Sequence, residues 1–188
     1  MWRGADDGFA SAFACYWLTR NPDTGTYFVI DEIYATRLMA EEIAERVKAK
    51  DLSIKLTDGR RHFLNDRILR GMLDSAAFAQ TGQAVITRGD QMNAAGLRWI
   101  PVEKFPGSRI ARIKNFHQLL APNPKGPPWK PGIVFFSNCV NAIRTIPALQ
   151  CSQRDLEDVD DAGECHAFDG VTYGLQYRKL TAGRTRIM

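Results

Sequence analysis

Gly4-Ala5-Asp6-Asp7-Gly8, followed by apolar runs over residues 10–18 and 26–35, decides the fold class of this chain. Both runs are rich in aromatic and β-branched residues. Asn21-Pro22-Asp23-Thr24-Gly25 between them supplies turn formers, so the pattern predicts an antiparallel β-hairpin. Asp6 stands just ahead of the hairpin, where a strand end can present a carboxylate. Asp7 is its immediate competitor, because Gly-x-Asp opens many unrelated strands.

Past the hairpin, Met39, Ile43 and Val47 recur every four residues, with Glu41 and Glu42 early and Lys48 and Lys50 late. That is an amphipathic helix whose charges suit its macrodipole and whose apolar face is expected to cover the sheet. Residues 54–63 stay open, since Asp58-Gly59 can turn a small hairpin or end a loop. Residues 68–73 read as a strand ending at Asp74, and 75–78 begin a helix or a loop. A strand is predicted over 97–102, a helix over 108–120 and a Pro-rich loop over 121–132. Residues 133–137 form the continuous apolar run of a strand covered on both faces, with a helix over 139–146 behind it. From about Gly163 a final helix is predicted, with Cys165, Phe168, Thr172 and Leu175 on one stripe and His166, Asp169 and Tyr173 on another. The whole is an α/β mixed sheet with an antiparallel N-terminal hairpin and helices on both faces.

The chain has 188 residues, 45% hydrophobic and 24% charged, which predicts a single globular domain over 1–188 and excludes disordered and fibrous classes. No apolar run approaches the roughly 20 residues of a bilayer span, and the start has no signal-peptide core, so no membrane role is expected. The net charge of +4 is unevenly spread: residues 155–164 hold six acids and no base, whereas 170–188 hold Arg178, Lys179, Arg184 and Arg186 and no acid. A basic C-terminal tail, about 176–188, beside acids suits a polyanion, and equally a solvated surface. Cys15, Cys139, Cys151 and Cys165 contain no CxxC pair, which argues for buried free thiols over structural zinc.

Three acids at strand ends or helix faces, Asp6, Asp74 and Asp169, become a metal site if the fold gathers them, because hard divalent ions prefer carboxylate oxygens. Asp74 before Ser-Ala-Ala is equally a helix cap. Asp169 lies on a packed helix, where an unpaired charge is costly. His166, three residues earlier, shares its face and can orient a ligand or serve structure. Asp160 and Asp161 are further candidates, or part of a solvated acidic loop.

Residues 131–139, then Ile143-Arg144-Thr145-Ile146-Pro147, Glu157-Asp158-Val159-Asp160 and His166-Ala167-Phe168-Asp169, together with the opening Gly-x-Asp-x-Gly, resemble the nuclease domain of tailed-bacteriophage or prophage terminase large subunits. The resemblance covers most of the chain and implies an RNase H-like fold. It implies an endonuclease that cuts double-stranded DNA with two Mg²⁺ or Mn²⁺ ions held by Asp6, Asp74 and Asp169. Lys104-Phe105-Pro106-Gly107-Ser108-Arg109 resembles the family's Lys-x-Pro-Gly-Ser-Arg, which implies phosphate contacts from Lys104, Ser108 and Arg109; Ser108 also reads as a plain N-cap, and both roles are compatible, while Arg178 and Lys179 extend the contacts. Thr172 and Gly170 depart from the family's pattern, where an Arg and a helix former are usual. The implied partners are DNA, a terminase ATPase domain, the small terminase subunit and the portal, in the cytoplasm of a bacterial host. No Gly-x-x-x-x-Gly-Lys-Ser/Thr is present, so no ATPase domain is expected, as in an excised domain, a split gene product or a prophage remnant. The rivals are a non-catalytic DNA- or protein-docking remnant and an actin-like ATPase or sugar kinase, which opens similarly but needs a second glycine-rich phosphate loop.

Overall fold

The computed structural model describes residues 1–54, 70–80, 86–121, 132–160 and 163–184, with 178–184 in backbone only. Strands β1 (Trp2–Asp6), β2 (Phe13–Arg20) and β3 (Tyr27–Ala35) form an antiparallel meander. β4 (Arg70–Leu73) and β5 (Arg98–Pro101) add in parallel beyond β1, and β6 (Ile133–Phe135) in parallel beyond β3. The order is β5-β4-β1-β2-β3-β6. The helices are α1 (Ala40–Ser53), α2 (Arg88–Ala94), α3 (Ser108–Leu120), α4 (Val140–Thr145) and α5 (His166–Arg184), of which α1, α3, α4 and α5 fall where helices were expected.

Side chains of β2 divide by the two-residue period of a strand. Phe13, Cys15 and Trp17 join a core with α1 and α2, while Ala14, Tyr16 and Leu18 join a second core with α3, α4 and α5. Helices therefore cover both faces. The hairpin turn is closed by Asn21, whose carboxamide oxygen accepts from the amides of Asp23 and Thr24 at 2.8 and 3.2 Å, and by Gly25 at φ 75°. Glu32 of β3 accepts from the amides of Asn141 and Ala142 at 2.7 and 3.1 Å, which pins the start of α4 to the sheet.

Helix α5 lies against β1, β2 and β4, and glycines set how closely. A Cβ on Gly4 would come within 2.3 Å of the Gly174 nitrogen, and one on Gly170 within 2.7 Å of the Ala14 carbonyl. Gly170 thus stands in place of a helix former because the backbones of helix and sheet touch there.

Several expectations need correction. Met39 is not on the buried face of α1; it precedes the helix, 55% exposed, with its amide donating to Glu42. Strand β6 is shorter than the expected 133–137 and only partly covered, with Ile133 buried, Val134 and Phe135 half-buried and Phe136 just past it half exposed; among the described residues it is also an edge strand. Helix α2 was not expected: Thr87 caps it by accepting from the Asp90 amide at 3.1 Å, and Gly89 inside it makes the segment read as a breaker. Residues 75–78 form a 3₁₀ turn. Residues 176–184, expected as a tail, continue α5. Cys15 and Cys139 are buried, but Cys151 is exposed. Most of the open segment 54–63 and of the Pro-rich loop lies outside the described residues. No helix among those described is long and apolar enough to cross a membrane.

Candidate active site

The parallel register of β1 and β4 places Ala5 opposite Leu73, and the Asp74 amide donates to the Ala5 carbonyl at 3.1 Å. Asp6 ends β1 and Asp74 follows β4, so both acids emerge side by side at the carboxyl ends of the two central parallel strands. Strand alternation turns Asp6 toward α5 and Asp7 away, where Arg88 holds Asp7 at 2.8 Å. That separates the two competitors. His166, first residue of α5, reaches back with Nδ1 2.8 Å from Asp6 Oδ2. Asp169 lies in the same first helical turn, where a carboxylate is favoured by the helix dipole.

All three acids are buried, with Asp6 and Asp169 each 8% exposed and Asp74 9%. Each is met by a base. Asp6 has His166, Asp169 has Arg112 with Nη1 at 2.7 Å, and Asp74 has Lys104 with Nζ at 2.5 Å. The capping alternative for Asp74 also holds: its Oδ1 accepts from the Ala76 amide at 3.0 Å. Burial pushes the Asp6 carboxyl up to about 6; the His166 contact opposes this, and the fields of Asp169 and Asp74 add to it. His166 is raised in turn, chiefly by its hydrogen bond to Asp6 and against its own burial. Tyr173 is raised by burial and then by the field of Asp169, with Asp74 and Asp6 contributing. Three acids from three elements therefore share one electrostatic environment. Among the described residues, no group of three or more His, Cys, Asp and Glu side chains is arranged to hold a metal ion as it stands.

Arg112 is the site residue that the sequence did not disclose. Its Nη1 donates to Asp169 Oδ1 and, at 2.9 Å, to the Thr172 hydroxyl, and its guanidinium lies 4.3 Å from the centroid of the Tyr173 ring. Thr172 therefore receives an arginine from α3. Nothing in the spacing of α3 marks Arg112 over Arg109; only the packing of α3 against α5 does. Arg109, expected on phosphate, lies 3.2 Å from Asp158 instead. Ser108 is not the cap of α3. Gly107, at φ 79°, is, and the Ser108 hydroxyl accepts from the Phe105 amide at 3.3 Å. Asp160 sits half-buried in the loop before α5 with its amide on the Gln150 carbonyl at 2.9 Å. Asp161 lies outside the described residues, as do the side chains of Arg178 and Lys179.

No protein-family model matches the sequence, and no curated protein matches it. Solved structures do match its fold. The chain is similar to the large terminase (g2p) nuclease domain of bacteriophage SPP1 with bound Mn, at TM-score 0.60 and 16% identity over 94% of this chain and 85% of that one. It is similar to the P22 large terminase nuclease domain at TM-score 0.64 and 14% identity, over 95% and 80%. Against the large terminase of the thermophilic bacteriophage D6E the TM-score is 0.62 at 10% identity, over 94% of this chain and 39% of that one. The fold is the RNase H-like fold of large terminase nuclease domains.

Proposed function

We propose that this chain is a divalent-metal-dependent endonuclease acting on double-stranded DNA, with Asp6, Asp74 and Asp169 as the metal ligands. The observation that supports the reading is that three buried carboxylates, ending β1, just past β4 and in the first turn of α5, lie within range of one another's charge, with the Asp74 amide on Ala5 and His166 on Asp6. Buried acids that feel one another's charge are costly without counter-charge, and burial, followed by the neighbouring carboxylates, raises the Asp6 carboxyl to about 6. An all-oxygen donor set suits a hard ion, and the SPP1 nuclease domain that shares the fold carries Mn. When bound, one or two such ions would supply a water of lowered pKa and charge stabilisation at both ends of an in-line displacement on phosphorus.

The residues of the chain then have separate tasks. His166 orients Asp6 through Oδ2, and Arg112 orients Asp169 through Oδ1. Lys104 and the start of α3 present positive charge and backbone amides beside the acids, a fitting seat for a DNA phosphate. Arg109 reaches phosphate by leaving Asp158, and Arg178 and Lys179 extend the contact along the duplex. Asp160 and Asp161 remain candidates for an outer ligand. Two Mg²⁺ or Mn²⁺ ions, phage genome packaging in a bacterial cytoplasm, a separate terminase ATPase domain, a small terminase subunit and a portal complete the proposal.

Supercoiled plasmid incubated with the protein tests it. Conversion to relaxed and linear DNA is expected with Mn²⁺ or Mg²⁺ and not with EDTA, without any requirement for ATP. Asp169→Asn is expected to lose more than the roughly 10–100-fold that removal of a residue merely supporting a metal ligand costs. Full activity of that variant across a metal titration would sink the mechanism.

A further inference from the structure

The three bases that meet the three acids are not equivalent. Arg112 is fixed on every side: its side chain is 9% exposed, donates to both Asp169 and Thr172, and stacks on Tyr173. His166 is partly covered beside Asp6. Lys104 has a side chain 44% exposed and, among the described residues, one ion pair, with Asp74 Oδ1, and its Nζ lies 5.5 Å from the centroid of the Tyr173 ring. A lysine ammonium is a compact, strongly hydrated charge on a flexible stem, so at this exposure it can leave its partner and be rehydrated at little cost. A guanidinium held as Arg112 is cannot.

Asp74, for its part, does not need Lys104 to hold its orientation. Its carboxylate accepts from the Ala76 amide at 3.0 Å as the cap of the 3₁₀ turn, and its own amide is fixed on the Ala5 carbonyl at 3.1 Å. The lysine contributes charge to a carboxylate that the backbone has already aimed.

We propose that Lys104 is a resident counter-cation that occupies the metal's place at Asp74 and is displaced when a divalent ion binds, freeing its ammonium for a DNA phosphate at the start of α3. This rests on the metal-site reading above. It makes Lys104 a competitor of the metal as well as a phosphate ligand. Removing its charge therefore tightens metal binding, although removing a phosphate ligand weakens DNA binding.

Two measurements on the full chain, neither of them an activity assay, test this. The first is titration calorimetry with Mn²⁺ on the wild type, Lys104→Met and Lys104→Arg. Lys104→Met is expected to bind Mn²⁺ about threefold to fivefold more tightly, the scale of a partly exposed ion pair, and Lys104→Arg to bind no more tightly than the wild type. The second needs no variant. Acetylation by acetic anhydride, followed by mass spectrometry, is expected to label Lys104 faster when Mn²⁺ is added, while Lys48, which donates to the Ala95 carbonyl, keeps its rate. Unchanged or weaker Mn²⁺ binding in Lys104→Met, or Lys104 labelling that Mn²⁺ leaves unchanged or slows, overturns the counter-cation role with the metal site intact. No saturable Mn²⁺ binding by the wild type overturns both.

Discussion

Strand β1 sends a buried charge to each face of the sheet, and the two are treated in opposite ways. Arg3 is wholly buried on the α1 side, 3.4 Å from Asp51, with its guanidinium 4.7 Å from the centroid of the Trp99 ring. Asp51 also accepts from the Trp17 indole at 2.7 Å. Opposite charges are closed in by aromatic rings there, and nothing about the arrangement admits a ligand. Asp6, three residues on, shares its surroundings with two further acids, and the bases that meet them include one that is nearly half exposed. A buried pair of opposite charges inside a sheet serves the fold. Like charges gathered where two strands end and a helix begins work against the fold, and the proposed metal site is what would offset them.

The sharpest way to break that contrast is at Arg3. Arg3→Met keeps the volume but leaves the largely covered Asp51 carboxylate beside an apolar side chain, with Trp17 still donating to it. Removing one partner of a buried pair costs about 3–5 kcal/mol, so a large fall in stability is expected in denaturant unfolding. Arg3→Met combined with Asp51→Leu should recover most of it, because no orphaned charge remains. Mn²⁺ affinity should be unchanged in the double variant. Failure of metal binding there would mean that the two faces are not independent.

How much of this was legible in the sequence differs between the faces as well. The hairpin, α1, the span of α3 and the strand before Asp74 follow from local periodicity and turn chemistry, which act over a few residues. Helix α2 escaped because Gly89 masks a Thr87-to-Asp90 cap. The edge position of β6 escaped because an apolar run does not say which neighbours the strand has. For the candidate site, Asp6, Asp74 and Asp169 were singled out by their resemblance to a known pattern. Arg112 was not, since its link to Asp169 joins residues 57 apart through the packing of two helices. Arg3 carried no mark either: a lone arginine in a short strand gives no sign of a partner in α1.

Asp6 provides a second test, with the opposite sign. Its carboxyl is raised from an ordinary 3.8 to about 6, so the native state holds the proton more tightly than the unfolded chain. The stability this group contributes is present below about pH 4 and lost as the pH climbs from about 4 to 6, a loss of order 3 kcal/mol at most. His166 works in the other direction. Its pKa is raised by Asp6, so its contribution is present below about pH 6.5 and lost as the pH rises through the raised value. Asp6→Asn removes both effects, and near pH 8 only the penalty on Asp6 is left to relieve. The metal-free variant should therefore be more stable than the metal-free wild type at pH 8, by about 1–3 kcal/mol, and should show a flatter dependence between pH 4 and 6. Excess Mn²⁺ should reverse the order, because only the wild type gains stability by binding. Thermal unfolding at pH 4, 6 and 8, with EDTA and with Mn²⁺, reads all of this. A destabilised metal-free Asp6→Asn at pH 8 would place Asp6 with Arg3 among the structural charges.

The smallest effect sets the zero of the scale. Lys114 of α3 lies 3.0 Å from Glu157 in the acidic segment, with side chains 58% and 61% exposed. Water screens such a pair, and holding two long side chains together costs rotamer freedom, so pairs of this kind contribute about 0–1 kcal/mol and often nothing measurable. Lys114→Gln should move the unfolding free energy by no more than about 0.5 kcal/mol in either direction. Mn²⁺ affinity should stay the same, since neither residue belongs to the set around Asp6, Asp74 and Asp169. The variant also carries to residues 155–158 the choice left open for Asp160 and Asp161, between a metal ligand and a solvated acidic loop. If residues 155–158 are a solvated surface, the change is silent in both measurements. If they feed the metal site, removing a neighbouring cation from Glu157 should tighten Mn²⁺ binding, as the loss of Lys104 is expected to do. A change in Mn²⁺ affinity comparable to that of Lys104→Met would draw Glu157 and Asp158 into the site and dissolve the distinction between resident and surface counter-charges.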